Sequence, residues 1–412
     1  MTTDPVASDG GPHVFVIVGE ESGDQLGAAL ISSLRQQLSD LRVSGIGGER
    51  MAELGLRSIF PLADIAVMGF SAVIARLPLI LRRIKDTVKA IDVAKPDILI
   101  LIDSPDFTHR VARRVRAGHP DILIINYVSP SVWAWRPGRA AKMARYIDLV
   151  LAILPFEPEV HRRLGGPHCV YVGHPIIEKL KLLRPGPGER LPLDKAERPV
   201  LLVMPGSREG EVVRHMPAYR DVVQRLHNHV PSTEIIIPAV PNLESEIEAQ
   251  CRDWPMPVSV VTGEEAKFAA FRRAHAALVA SGTATLELAL SAIPMVVAYR
   301  LELINRLAYP HLHRFPKLFA ITFVALPNII LGRKAVPEWV GKEATVDQLA
   351  NSLIPLLEDS EERQAQMQAF SEIDQQLAGA DESAPPSDRA ANAVIAKFAR
   401  WRGANSNPEF ID

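Results

Sequence analysis

The chain has no apolar run long enough to cross a bilayer and no excess of basic residues. Its longest apolar stretch, Phe319–Leu331, is short and interrupted by polar residues, whereas a spanning helix needs about twenty apolar residues. The formal net charge is −2, so a nucleic-acid partner is not expected. Cysteine is scarce, with only Cys169 and Cys251. Their wide separation argues against a disulfide framework and fits a reducing cytoplasm.

Several motifs of common enzyme classes are missing as well. The sequence has no Gly-x-Gly-x-x-Gly, which disfavours a nicotinamide dehydrogenase. It has no Asp-x-Asp and no cluster of metal-ligand spacing, so we expect neither a metal nor another cofactor. Residues 1–13 lack the basic flank and apolar core of a signal peptide. What is present is a chain of 412 residues, 47% hydrophobic and 23% charged, which suits a globular enzyme of two domains or of one large domain.

Short apolar runs alternate with helical patterns throughout the chain, which predicts α/β layers with parallel strands. The helix candidates include Asp24–Leu38 and Leu77–Ala94. The predicted strands are Val14–Val18, Ile98–Ile102, Ile122–Tyr127, Leu149–Ile153, Val170–Val172, Val200–Met204, Glu234–Ile237, Val258–Val261, Ala277–Ala280 and Met295–Ala298.

A proline- and glycine-rich segment divides the two halves. We expect a domain over residues 1–184, a linker over 185–198, a second domain over 199–380, and a tail over 381–412 with a last helix at Arg389–Trp401. The predicted fold is therefore two doubly wound, Rossmann-like domains facing each other across a cleft. The sequence leaves open whether the last helix crosses back, whether it is exchanged between subunits, and whether the protein is a homodimer.

Two strand ends in the second half have the composition of phosphate-binding turns. Val200–Met204 stops at Pro205-Gly206-Ser207-Arg208, and the other turn is Ser281-Gly282-Thr283. Each reads as a strand, a small-residue turn and a helix N-terminus, which directs backbone N–H groups toward an anion. Arg208 adds a fork of donors suited to phosphate oxygens. We therefore expect a phosphorylated ligand at the carboxyl ends of these strands.

Two further polar residues are expected at the same edge. Glu287, one helical turn past the Ser281–Thr285 loop, has the right chemistry to accept hydrogen bonds from two vicinal ribose hydroxyls. The alternative is an ordinary first-turn glutamate. Asn328 follows another apolar run and is placed toward the same cleft.

Asp103 directly follows the strongly hydrophobic strand Ile98–Ile102. A carboxylate held there against apolar neighbours is expected to have a raised pKa and to accept a proton from a substrate hydroxyl. The alternative is a turn-forming aspartate before proline. Asp106 lies further into the loop and ranks lower.

Other strand-end loops of the first half carry candidate cleft residues. The turn after the first strand is either a ligand-binding loop or a capped βα loop. The loop Tyr127–Arg136 holds two of the five tryptophans, which favours a ligand site over interdomain packing. The candidates are Glu20, Ser22, Gly23, Asp24, Ser129, Trp133, Trp135 and His174.

Two apolar stretches with basic residues, Met68–Lys85 and Leu301–Leu318, suit an anionic membrane surface or acyl chains. An ordinary core helix explains the first equally well. The residues assigned to this surface are Met68, Phe70, Leu77, Leu79, Ile80, Arg82 and Arg83.

From about Val14 to about Gly341, the chain resembles the lipid-A-disaccharide synthase family of GT-B glycosyltransferases. The string Tyr127–Arg136 is the most specific part of that resemblance. The other matching segments are 19–24, 66–69, 102–107, 154–157, 173–175, 205–208 with Glu211-Val212, 281–287 and 326–328.

The resemblance implies an inverting transfer from UDP-2,3-diacylglucosamine to 2,3-diacylglucosamine 1-phosphate (lipid X), giving a β-1,6 disaccharide and UDP. It also implies peripheral contact with the cytoplasmic face of an anionic inner membrane. In that family the aspartate at position 103 is the general base toward the acceptor 6-hydroxyl. The residues at 208, 287 and 328 surround UDP.

The chain departs from the family pattern at Phe323, Ala325 and Gly341, which concerns details of the nucleotide pocket. Two alternatives stay open at this point. One is another UDP-N-acetylglucosamine enzyme of the GT-B type, either a 2-epimerase or the peptidoglycan glucosaminyltransferase. The other is a non-catalytic protein that binds nucleotide sugars or anionic lipids.

Overall fold

In the computed structural model, which describes residues 11–66, 70–299, 323–378 and 384–406, the chain divides into two compact units. The first comprises Met1–Pro175 with Ala380–Asp412, and the second comprises Ile176–Gly379. The boundary lies before the predicted position at residue 184. The reason is that the short helix Leu180–Leu183 packs against helices of the second unit, and the Arg184 Nε donates to the Leu290 carbonyl at 3.0 Å.

The first unit is built around a six-stranded parallel sheet of order β2-β1-β3-β4-β5-β6. Its strands are β1 (His13–Val18), β2 (Arg42–Ile46), β3 (Ile98–Ile102), β4 (Leu123–Tyr127), β5 (Leu149–Ala152) and β6 (Cys169–Tyr171). Its helices are α1 (Glu21–Gln37), α2 (Glu49–Glu53), α3 (Phe70–Ala94), α4 (Pro105–Gly118), α5 (Gly138–Met143) and α6 (Glu157–Arg163).

The second unit repeats the architecture with the parallel order β12-β11-β10-β7-β8-β9. Its strands are β7 (Val200–Met204), β8 (Glu234–Ala239), β9 (Val258–Thr262), β10 (Ala276–Val279), β11 (Met295–Tyr299) and β12 (Glu338–Val340). Its helices are α7 (Leu180–Leu183), α8 (Glu209–His227), α9 (Glu244–Cys251), α10 (Glu264–Arg273), α11 (Ala284–Leu290), α12 (Leu326–Leu331), α13 (Val346–Leu353) and α14 (Glu361–Ala378).

Each sheet has hydrophobic side chains on both faces. In β1, Val14, Val16 and Val18 belong to one core cluster, whereas Phe15 and Ile17 belong to the other. Alternating residues of a strand point to opposite faces, so a strand covered by helices on both sides reads as a continuous apolar run. This is why the sequence predicts the central strands within a residue or two. The less apolar edge strands β2 and β12 were missed.

The doubly wound α/β fold predicted from the sequence is confirmed in both units. In each sheet the first strand in chain order has neighbours reached in opposite directions, β2 and β3 around β1, and β8 and β10 around β7. The strand order reverses at these points. In open α/β sheets, ligands bind beyond the carboxyl ends of strands at such a reversal. Among the described residues, no helix is long and apolar enough to span a bilayer.

The final helix, α15 (Pro386–Ser406), completes the first unit. Its Ala390, Ala391 and Val394 are buried in the same cluster as Leu30 and Leu34 of α1. The last helix thus returns to the first unit in the chain fold and covers one face of its sheet.

We predict that Val394→Asp lowers the stability of the first unit by about 3 kcal/mol or more, because an unpaired charge is buried in this cluster. The matched control is Ala396→Asp, which places the same side chain on the exposed side of α15. Calorimetry of both variants checks the expectation. Equal melting temperatures for the two would contradict the assigned packing of α15.

Candidate functional site

A cavity of about 670 Å³ lies at the strand-order reversal of the second unit. Its volume is within the range of small-molecule sites, about 300–1,000 Å³. It is bounded by the turn after β7, the turn after β10 and the start of α10. Its lining residues include Gly206, Ser207, Arg208, Glu211, Glu264, Lys267, Ser281, Gly282, Thr283 and Glu287. The structure therefore brings together all but one of the residues that the sequence assigned to the donor.

The turn after β7 is closed by an internal carboxylate. Gly206 has φ +121°, a backbone conformation that non-glycine residues rarely adopt. A Cβ at this position would also collide with Glu211. The Glu211 carboxylate accepts from the Ser207 N–H and from the Arg208 Nη1, each at 3.1 Å. Arg208 is nevertheless well exposed at the cavity wall. Glu211 thus holds the turn in shape and directs the Arg208 guanidinium.

The turn after β10 is fixed by hydroxyl groups. The Ser281 Oγ donates to the Val324 carbonyl at 3.0 Å, and the Thr285 Oγ1 donates to the Gly282 carbonyl at 2.8 Å. Thr283 is the N-cap residue of α11. These contacts set the Ser281–Thr283 backbone before any ligand arrives, which reduces the cost of ordering on binding.

Glu287 projects from α11 into the same cavity and is paired with Lys267 of α10. The Lys267 Nζ lies 3.0 Å from both carboxylate oxygens. Both side chains are about one-quarter exposed, so the pair is partly shielded from water. The Lys267 ammonium therefore holds both carboxylate oxygens of Glu287 in place.

Asn328, which the sequence places toward the same cleft, is held by hydrogen bonds within the protein. Asn328 is fully buried and is absent from the described lining of the cavity. Its Oδ1 accepts from the backbone N–H groups of Ala335 and Val336 at 2.7 and 2.8 Å, and its Nδ2 donates to the Val336 carbonyl at 2.9 Å. The amide therefore shapes the chain after α12, and the strand-end pattern could not distinguish this role from ligand contact.

In the first unit, Asp103 lies at the reversal between β1 and β3. Asp103 and Ser104 have φ values of +58° and +44°, a left-handed conformation that non-glycine residues seldom adopt and that costs of order 1–3 kcal/mol each. The Thr108 Oγ1 donates to the Asp103 carbonyl at 3.0 Å. The Gly19 N–H donates to the Ile102 carbonyl at 3.0 Å. The neighbouring elements thus hold the strained residue in place.

The electrostatic environment of Asp103 disfavours its ionised form. Burial, followed by the nearby negative charge of Glu20, raises the pKa of Asp103 to about 6. Gly23 permits this arrangement, because a Cβ at that position would lie 3.0 Å from the Asp103 Oδ2. The carboxyl is half-buried, so it remains reachable.

The residues that follow β1 have different roles. Glu20 is the half-buried N-cap residue of α1, and Ser22 is exposed at its start. Asp24 is buried and accepts from the backbone N–H groups of Gly48 and Arg50 at 2.7 and 2.8 Å. Asp24 belongs to α1, and its carboxylate caps the N-terminus of α2. The structure therefore shows a structural function for Asp24 and places Glu20 and Gly23 near Asp103.

The tryptophan loop is anchored by two residues of α6. The Trp133 Nε1 donates to the Glu157 Oε1 at 3.3 Å, and its ring meets Phe156 edge to face at 5.5 Å. The Ser129 Oγ lies 2.8 Å from the His161 Nε2. Because Glu157 and His161 are one helical turn apart, a single face of α6 fixes both parts of the loop.

The remaining residues assigned to the cleft lie outside this anchor. The Trp135 ring is more exposed, at 38%, and is covered by the Arg136 guanidinium at 5.1 Å. His174 lies half-buried beyond β6, and burial lowers its pKa to about 4. A neutral imidazole at physiological pH follows from that shift.

Only some side chains of the predicted lipid-facing stretch are exposed. On α3, Leu77 is exposed and Arg82 projects into solvent, with Leu79 intermediate. Ile80 packs against the core, and Arg83 is bound to Asp64 and Asp86 over the Phe60 ring. Met68, the side chain of Phe70 and the stretch 301–318 lie outside the described residues.

Two functional candidates escaped the sequence analysis. Lys267 stands in the run Glu264-Glu265-Ala266-Lys267, which is typical of a solvated helix face and carries no motif. Glu211 was part of a recognised string but had no assigned role. A signal for Glu211 existed in its spacing, since a residue three or four positions into a helix reaches back to the turn before it. In the described portions of the chain, no group of three His, Cys, Asp or Glu side chains is arranged to hold a metal.

The chain is similar to known proteins over nearly its whole length. A family model described as lipid-A-disaccharide synthetase matches residues 14–390. A lipid-A-disaccharide synthase of Nitrobacter hamburgensis is 46% identical over 401 residues, which cover 97% of this chain and 99% of that protein. One from Rhodopseudomonas palustris is 48% identical over 384 residues, covering 93% and 95% respectively.

Solved structures with low sequence identity share the fold. A UDP-GlcNAc 2-epimerase from Neisseria meningitidis bound to UDP-GlcNAc has a TM-score of 0.56 at 12% identity, covering 94% of this chain and 100% of that one. Acinetobacter baumannii MurG has a TM-score of 0.54 at 15% identity, with 94% and 99% covered. At these identities the likeness concerns the GT-B fold alone.

We predict a pH-dependent stability that originates in Glu157. Burial raises the pKa of Glu157 from 4.5 to about 8, so the folded chain favours the neutral carboxyl. A folded pKa above the unfolded one gives a contribution that is complete below about pH 4.5 and is lost as the pH rises through about 8. The melting temperature of the native chain, relative to that of Glu157→Gln, should therefore fall between pH 5 and pH 8.

The matched control for this measurement is Glu159→Gln, an exposed carboxyl on the same helix. It should not reproduce the trend. A difference between the native chain and Glu157→Gln that stays constant over the range would show that the Glu157 carboxyl is not stabilised in its neutral form.

Proposed function

The chain belongs to the lipid-A-disaccharide synthetase family, and we propose that it transfers 2,3-diacylglucosamine from its UDP derivative to 2,3-diacylglucosamine 1-phosphate, with inversion at the anomeric carbon. Family membership assigns lipid A disaccharide synthesis to the chain. The observation that carries the finer proposal is the strained Asp103 at one strand-order reversal, together with the charged cavity at the other.

The second unit is assigned to the donor. Arg208 and the N–H groups of the two turns stabilise the negative charge that develops on the departing diphosphate, since fixed donors act strongly on charge formed in the transition state. Glu287 accepts hydrogen bonds from the two ribose hydroxyls. The cavity supplies both kinds of group within one wall, which supports this assignment.

Asp103 is assigned as the general base. The acceptor 6-hydroxyl oxygen forms the bond to the anomeric carbon while the bond from that carbon to the diphosphate breaks and UDP leaves. The hydroxyl proton passes to the Asp103 carboxylate. A pKa of about 6 leaves the group ionised at neutral pH yet more basic than an ordinary aspartate, which suits this step.

The loops after β1 and β4 are assigned to the acceptor. Glu20 precedes α1, Ser22 and Gly23 lie in its first turn, and Glu20 and Gly23 are close to Asp103. The anchored Trp133 offers an apolar ring face. Trp135 and His174 belong to the same proposal and rest on the family resemblance alone.

The direct test is product analysis. The chain is incubated with labelled UDP-2,3-diacylglucosamine and lipid X, and UDP release and disaccharide are measured. The proposal expects both products in equal amounts. Release of UDP without disaccharide, or an epimerised nucleotide sugar, would favour another GT-B activity.

We predict that Asp103→Asn lowers turnover by about 10² to 10⁴-fold, because the amide cannot accept the proton, and leaves UDP affinity nearly unchanged. In the native chain, kcat/KM should fall below about pH 6 as the carboxylate becomes protonated. Steady-state rates across pH 5–8 and UDP titrations measure both effects.

Glu20→Gln provides an internal check on the same group. Removing the Glu20 charge lowers the pKa of Asp103, so the acidic limb should move to lower pH by only part of the total shift, because burial is the larger cause. Near-normal turnover in Asp103→Asn would remove Asp103 from the role of base.

We also propose that α3 docks the protein on the cytoplasmic face of the inner membrane. Leu77 and Leu81 are each 40% exposed one helical turn apart, and the exposed Arg82 and Lys85 follow Leu81 on the same helix. Apolar side chains bordered by cations suit an anionic lipid surface, where diacylated substrates reside.

We predict that the double variant Leu77→Ser and Leu81→Ser sediments several-fold less with vesicles of phosphatidylglycerol and phosphatidylethanolamine. The control is Val93→Ser on the same helix, which removes a side chain that is 78% exposed near its other end. Equal sedimentation of both variants, or none for the native chain, would argue against docking through α3.

A further inference from the structure

The cavity of the second unit contains an ion pair, Lys267–Glu287, whose lysine lies outside the turns after β7 and β10. Lys267 belongs to α10, which begins after Gly263, whereas Glu287 belongs to α11. The Lys267 Nζ contacts both oxygens of Glu287 at 3.0 Å, and both residues line the cavity. The contact therefore joins two helices across a wall of the site.

The surroundings restrict where the Lys267 ammonium can lie. The rings of Phe268 and Phe271 have their centroids 4.9 and 5.7 Å from the Nζ, and both residues are buried. Aromatic faces attract a cation. The ammonium is thus confined between two rings and one carboxylate, and it in turn confines the Glu287 oxygens.

The Lys267–Glu287 contact is part of a charge balance in the cavity. Three carboxylates line the described wall, those of Glu211, Glu264 and Glu287. Each has a cationic partner, namely Arg208, Lys179 and Lys267 respectively. A diphosphate that enters such a site would be repelled by an unbalanced Glu287, because like charges destabilise one another at short range. Lys267 removes that repulsion.

We propose that Lys267 is a positioning residue of the donor site, which aligns the Glu287 carboxylate for the sugar hydroxyls and balances its charge beside the diphosphate. The inference rests on the proposed assignment of this cavity to UDP. It goes further by giving a role to a lysine that lies outside both turns. A lysine at this point makes Glu287 able to accept hydrogen bonds without opposing the anion.

The test is a double-mutant cycle on UDP affinity with Lys267→Met, Glu287→Gln and the double variant, read by titration calorimetry. We expect each single change to raise the Kd for UDP about tenfold, and the double variant to be no weaker than either single variant. Lys267→Arg should recover most of the affinity, because it restores a cation to the pair. The donor KM should rise in Lys267→Met with little change in kcat.

Arg273→Met is the matched control, since it removes another ion-paired cation, partnered by Glu234, from the same helix. It should leave UDP affinity and melting temperature unchanged. A melting temperature for Lys267→Met close to that of the native chain would confirm that the loss of affinity does not come from unfolding.

The outcomes distinguish the assignment of Glu287 to the donor site from the role of Lys267. If Glu287→Gln binds UDP normally, the assignment of Glu287 in the donor site is wrong. If Glu287→Gln weakens binding but Lys267→Met does not, the donor site stands and the role of Lys267 is overturned. If the two single effects simply add, Lys267 does not act through Glu287 and the inference also fails.

Discussion

Reversal of strand order imposes the geometry on which the candidate sites depend. At β1 and at β7 the chain leaves in one direction to reach the next strand and returns from the other side to reach β3 or β10. The loops beyond these strands therefore diverge and leave space above the sheet. In one unit that space is bordered by Asp103 and the start of α1, and in the other by the two small-residue turns.

The two reversals carry opposite electrostatic arrangements. Around Asp103, burial and the neighbouring Glu20 disfavour the charged carboxylate, which increases its tendency to take up a proton. In the cavity of the second unit, carboxylates are matched one by one with cations, which leaves the wall able to receive an anion. A group that moves a proton and a surface that receives negative charge are the two components that glycosyl transfer from a nucleotide requires.

The strand ends and turns that border both sites could be predicted from the sequence, because short local patterns determine them. Val200–Met204 and Ile98–Ile102 are continuous apolar runs, so their ends, and hence the turns at Pro205 and Asp103, were predictable. The partners of those turns were not, since they depend on which helix faces which loop. Asp24 and Asn328 were predicted, like Asp103, because they follow apolar runs, yet the fold uses them to bind backbone N–H groups. Lys267 showed no pattern, and only its proximity to Glu287 reveals it.

The central claim is that the chain's own cations and backbone N–H groups hold the diphosphate of UDP in the cavity of the second unit. Titration calorimetry of UDP and of uridine, both in the presence of EDTA, tests this most directly. We expect UDP to bind with the chelator present and uridine to bind far more weakly, because the diphosphate supplies most of the interaction. Equal affinity for uridine and UDP, or loss of UDP binding in EDTA, would contradict it.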